Sequence, residues 1–119
     1  MTPLRFAHVA ISRKDPLAVE WFYTKHFGFK RVRVVPLGGD QIVFIKSGNL
    51  CFEVFRAEDE RPVPPADKDG PHYPGLRHVA FQVDDIDAKL AEMGSAAKIT
   101  LGPLNFDDFL PGWRIRKAT

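Results

Sequence analysis

Two stretches of this chain read almost alike: LRFAHVAI at 4–11 and LRHVAFQV at 76–83. Both alternate β-branched or apolar residues as a short strand does. The histidines, His8 and His78, stand 70 positions apart. The segments after the two copies also match. After the first comes DPLAVEWFYTKHFG, in which Asp15 suits an N-cap, Pro16 the first helical position and Gly28 the residue past the end. After the second comes DDIDAKLAEMG, with Ile86, Leu90 and Met93 at helical spacing, an Asp near its start and Gly94 beyond. An internal repeat of strand then helix constrains the whole architecture.

Outward from these anchors, FKRVRVV (29–35), QIVFIK (41–46) and LCFEVFR (50–56) read as strands. PLGGD and SGN separate them as turns. The first half is therefore strand, helix, strand, strand, strand. Residues 58–75 carry five prolines and two glycines with no hydrophobic period, which predicts a linker or surface loop. The second half continues with KITL (98–101) as a strand, GPLNFDDFLPG as a loop, and WRIRKAT as a closing strand. It is visibly shorter than the first. The expected organisation is one domain over 1–119, made of module one (1–57), a Pro-rich linker (58–74) and an incomplete module two (75–119).

Composition narrows the function classes. At 119 residues the chain is long enough to bury roughly 65% of its unfolded surface, which allows a real core. Seventeen Lys and Arg against 15 Asp and Glu leave a formal charge of only +2, with no basic stripe, so no nucleic-acid partner is expected. No apolar run approaches the ~20 residues needed to span a bilayer, and MTPLRFAHVA does not read as a secretory signal. No membrane association and a cytoplasmic location are the expectations. The single cysteine, Cys51, excludes an internal disulfide and a CxxC zinc site. As a free thiol it is assigned no role beyond that of a small hydrophobe.

Alternation places Phe6, His8 and Ala10 on one face of the first strand, opposite Ala7, Val9 and Ile11. Leu76, His78 and Ala80 share a face in the second copy. The wholly apolar faces should carry the helices, so both histidines point the other way. Glu53 shares a face with Cys51 and Phe55, where an ionised carboxylate costs several kcal/mol unless paired, hydrogen-bonded or metal-bound. Two neutral imidazoles and a carboxylate make a donor set for a borderline or hard divalent metal. The plain alternatives are a histidine satisfied in the core or at the surface, and a Glu53 on an edge strand facing water. The equivalent placement of His8 and His78 in the two copies favours the ligand reading. His26 and His72 have no such counterparts and are read as surface residues.

FAHVAI, the helix ending in WFYTKHFGF, Glu53 in LCFEVF, and LRHVAFQVDDIDA together resemble the vicinal-oxygen-chelate superfamily. This is the family of glyoxalase I, extradiol dioxygenases, epimerases, fosfomycin-resistance enzymes and bleomycin-binding proteins. The resemblance spans nearly the whole chain and implies an α+β fold. Two βαβββ modules would curl incomplete sheets around a shared cavity, the second being truncated. By position, it implies that His8, Glu53 and His78 bind one divalent ion (Ni, Zn, Fe, Mn or Co). The same 45-residue span that separates His8 from Glu53 would run past Thr119 from His78, so either the sequence is truncated or a fourth ligand and a sheet strand come from elsewhere. The implied activity is that of a glyoxalase I-like lyase or isomerase on a small molecule chelated through vicinal oxygens. The metal would stabilise an enolate, and Glu53 would act as base. Two alternatives remain: an extradiol-type dioxygenase using the two-His, one-carboxylate set, and a metal-free bleomycin-type binder. Phe106, Phe109 and Trp113 would line a substrate groove or pack over its mouth. Asp107 and Asp108 read as loop carboxylates in water. An open sheet edge in module two suggests a homodimer.

Overall fold

The computed structural model describes residues 2–59, 78–105 and 114–118. The chain divides into two compact units, 1–61 and 62–119.

In the first unit, strand β1 (Val9–Arg13) leads into helix α1 (Pro16–Phe27), and then into β2 (Lys30–Leu37), β3 (Asp40–Ser47) and β4 (Leu50–Arg56). The sheet order is β1-β4-β3-β2, with β1 parallel to β4 and the other neighbours antiparallel. It is an open, mixed, four-stranded sheet with one helix, in the βαβββ order expected from the sequence. Local chemistry sets the boundaries. The Asp15 carboxylate accepts from the Ala18 N–H at 3.2 Å, Pro16 opens the helix, and Gly28 closes it in the left-handed region at φ 65°. Two-residue turns at Gly38-Gly39 and Gly48-Asn49 join β2 to β3 and β3 to β4. Gly38 and Gly48 take the positive φ that tight hairpins need.

The core lies between α1 and one face of this sheet. Val43 and Ile45 of β3 stand opposite Val54 and Phe52 of β4, and all four are buried. Phe52 stacks on Phe29 at 5.1 Å, and Tyr23 of α1 meets both rings edge-on at 4.9 and 5.3 Å. Tyr23 is buried enough that desolvation raises its pKa above the ordinary value, although the charge of Arg13 pulls the other way. Glu20 of α1 grips Arg31 of β2 through two hydrogen bonds, at 2.6 and 2.7 Å, and these hold the Arg31 pKa above its ordinary value. The apolar face of the sheet does carry the helix.

Two expectations need correction in this unit, and one alternative falls away. The first strand begins at Val9 rather than at residue 4, and residues 2–8 lie outside it with Leu4 and Phe6 largely exposed. The parallel register Val9↔Phe52 accounts for the loss of residues 4–6 from the strand. Residues before Ala7 would face the β3–β4 turn at 48–49, which has no ladder to offer. His26 is buried, not a surface residue. It sits four residues after Phe22 and seven after Val19, on the packed side of α1, with its ring 5.0 Å from Phe22 and 6.3 Å from Trp21. The alternative of a Glu53 on an edge strand falls away, because β4 is an interior strand.

In the second unit, helix α2 (Ile86–Met93) is capped by Asp85, whose carboxylate accepts from the Ala88 N–H at 3.0 Å. Gly94 comes next at φ 60° and opens a short 3-10 turn. Strands β5 (Ile99–Asn105) and β6 (Arg114–Ala118) pair antiparallel with register shifts. Strand β5 runs four residues past the expected 101, into what reads as loop. Residues 78–83, expected as a strand, form none. A strand exists only by pairing, and β5 and β6 pair with each other. The first copy of the repeat is held extended by β4, which is the difference between the two. His72, Phe106, Asp107, Asp108, Phe109 and Trp113 lie outside the described residues.

Candidate functional site

Glu53 occupies the middle of β4, flanked on its strand by the helix-facing Phe52 and Val54. Alternation therefore turns its carboxylate to the other face of the sheet. The ladder fixes its neighbours there. Ala10 of β1 stands on one side, and Phe44 of β3 directly opposite on the other. His8, the residue before β1, falls on this same face. Its Nε2 lies 3.6 Å from Glu53 Oε1, and its ring meets Phe44 edge-on at 5.7 Å and 83°. The Glu53 side chain is 18% exposed and that of His8 40%. A carboxylate so far withdrawn from water needs a cation, a donor or a metal.

The separation is informative. Nitrogen and oxygen ligands bound about 2.0–2.2 Å from one ion stand roughly 3.0–3.4 Å apart in octahedral or tetrahedral geometry. The 3.6 Å between His8 and Glu53 is within a few tenths of that bite. It is longer than a good hydrogen bond, and an ion pair there needs a protonated imidazole. The donor chemistry, one imidazole nitrogen and one carboxylate oxygen, suits a divalent ion.

The structure thus brings His8 and Glu53 together within the first unit. His78 belongs to the second unit, where residues 78–80 are exposed. Within each unit, no group of three or more His, Cys, Asp or Glu among the described residues is placed to hold a metal. Phe44 is a site residue that the sequence reading missed. Its signal is the cross-strand register with Glu53, which becomes visible only once the β3–β4 turn is fixed at Gly48-Asn49. Cys51 lies on the site face, half-buried, as a free thiol.

A βαβββ unit with an open mixed sheet, its helix on one face and a His–Glu pair on the other, defines the class of protein. The matching family model, Glyoxalase/Bleomycin resistance protein/Dioxygenase superfamily, covers residues 5–104, and the chain belongs to that superfamily. It is similar to the Escherichia coli (strain K12) protein YaeR, 34% identical over 94 residues, covering 74% of this chain and 67% of YaeR. Among solved structures, it resembles a glyoxalase family protein from Enterococcus faecalis, with 30% identity and a TM-score of 0.63. That match covers 88% of this chain and 81% of the other. At 13% identity and a TM-score of 0.61 it shares the fold of FosX, a fosfomycin resistance protein from Listeria monocytogenes, over 89% of this chain and 75% of that one. FosX was solved with Mn(II) and 1S,2S-dihydroxypropylphosphonic acid. No helix among the described residues is long and apolar enough to cross a membrane.

Proposed function

We propose that the protein is a metal-dependent enzyme of glyoxalase I type, acting on a small molecule that offers two vicinal oxygens. In this reading His8, Glu53 and His78 hold one divalent ion. The observation that carries it is the near-ligand spacing of His8 and Glu53 on the sheet face away from the helix. Mn(II) and a vicinal diol in FosX, a protein of the same fold, are consistent with it. When bound, such an ion supplies Lewis-acid stabilisation of negative charge on a substrate oxygen.

The chain's own residues do the rest. Glu53 takes a proton from the carbon beside the substrate carbonyl onto its carboxylate and returns it to the former carbonyl carbon. As ligand and base at once, it would have to leave the ion during turnover. The low exposure of Glu53, with Phe44 directly across the ladder, would limit the water that competes for that proton. His8, with its Nε2 3.6 Å from the carboxylate, would hold the ion beside it. Phe106, Phe109 and Trp113 are proposed to line the substrate groove. Modules at 1–57 and 75–119, joined by the Pro-rich segment 58–74, are proposed to present the ligands. A homodimer and a cytoplasmic location complete the reading.

Metal analysis of the purified protein, alongside His8→Ala and His78→Ala, tests the core of it. About one equivalent of a divalent ion in the wild type, lost in both variants, is the expected result. A wild type that binds no divalent ion at micromolar concentration would sink the reading and leave the metal-free, drug-binding class. Light scattering tests the dimer: a mass near 13.4 kDa, that of one chain, would reject it.

A further inference from the structure

The face that carries His8 and Glu53 also carries three lysine and arginine residues. A register shift in β2 between Arg31 and Arg33 sends these two side chains to opposite faces. Arg31 stands opposite Ile45 and bonds Glu20 of the helix, whereas Arg33 stands opposite Phe44. Arg33, Phe44 and Glu53 thus form one row across three strands, with Arg33 roughly 10 Å from Glu53 at ~4.8 Å per strand. In the next row on the same face, Lys30 stands directly opposite Lys46, and Lys46 directly opposite Cys51.

Two like charges directly opposed in an antiparallel ladder repel each other. All three cations are exposed, and among the described residues none forms an ion pair with a carboxylate, although other exposed cations of this unit do. Of the carboxylates on their own face, Glu53 is turned to His8. By register Asp40 also falls on this face, at the far end of β3, and it accepts from Arg56. Three unmatched positive charges thus stand against two negative charges that are both engaged, an attractive field for an anion beside the site. The fan of donors from Arg33 and two ammonium groups suits an oxyanion with several acceptor oxygens.

We infer that Lys30, Arg33 and Lys46 form an anion subsite, and that the substrate carries a dianionic oxyanion group of the phosphate type about two strands from its chelating oxygens. The inference deepens the proposed function and rests on that reading for the word substrate. The subsite itself stands on the register and the unmatched charges. It also gives the face a direction: the oxyanion anchors toward β2, and the reacting end lies over β4 toward β1.

Inorganic phosphate, titrated into the metal-free full-length protein at pH 8 and low ionic strength, tests the subsite by amide chemical shifts. Saturable shifts confined to residues around 30–33 and 44–46 are expected, with acetate at least tenfold weaker. Arg33→Gln and Lys46→Gln should each weaken phosphate by about tenfold, the worth of one charge-assisted hydrogen bond. Lys25→Gln on the helix, the same charge change on the other face, should leave binding unaltered. His8→Ala should bind phosphate like the wild type, even though the proposed function requires it to lose metal. Phosphate binding without metal binding would sink the chelate and keep the subsite. Non-saturable shifts, equal affinity for acetate, or equal loss in Lys25→Gln would overturn the subsite, whatever the metal does.

Discussion

Glu53 and His8 can be told apart from an ordinary ion pair by what their removal does. Were the carboxylate kept only for the imidazole, Glu53→Gln would break a partly buried pair and cost stability. Were it kept for a metal, the neutral amide would relieve the desolvation of an ionised group in the metal-free protein. We therefore expect Glu53→Gln to melt no lower than the wild type when both are stripped of metal. Its metal affinity should fall by more than about 100-fold, since loss of even an outer-shell partner costs 10–100-fold. Chelator-treated melting curves and a metal titration check both halves. The meeting of His8 with Glu53 was legible in the sequence because two alternating strands bring their polar residues to one face. The cations of β2 were not legible. Plain alternation along FKRVRVV puts Arg31 and Arg33 on the same side, and the register shift that separates them leaves no local mark.

Helix α1 carries its own signals, and two substitutions measure them. Asp15→Ala removes the acceptor for the Ala18 N–H and should cost about 1 kcal/mol. Gly28→Ala tests backbone conformation alone. An added Cβ meets nothing within 4 Å, yet φ is 65°, so a loss of about 1 kcal/mol is expected with no repacking. Urea denaturation of each variant gives the values, and an unchanged midpoint for either would contradict the corresponding local account. Such signals are written within a few residues, which is why both helices and the three strands after α1 read correctly from the sequence. Strands depend on distant partners. LRHVAFQV carries the same pattern as LRFAHVAI, yet 78–83 form no strand, whereas GPLN extends β5 because β6 pairs with it. His26 shows the complementary error: its i+4 and i+7 spacing to Phe22 and Val19 marks it as packed, and its polarity alone suggests otherwise.

At the scale of the molecule, the first unit stands on a small aromatic core, and that core makes its stability depend on pH in one direction. Phe29, 1% exposed and stacked on Phe52, is the centre of it. Phe29→Ala should cost about 3–5 kcal/mol, a large part of the stability of a small domain. Tyr23 packs against both rings, and burial raises its pKa above 10.0, with the nearby charge of Arg13 only partly offsetting this. The native state then holds the phenolic proton more tightly than the unfolded chain does. Where the unfolded tyrosine ionises and the native one does not, the native state binds more protons and stability falls as pH rises. The stabilisation is complete below pH 10 and drains away above it. Melting temperatures between pH 8 and 11 should stay level at first and then decline. In Tyr23→Phe, which keeps the ring and removes the ionisable group, the decline should be shallower. A variant that loses stability above pH 10 as steeply as the wild type would place the alkaline sensitivity elsewhere and leave Tyr23 a packing residue only.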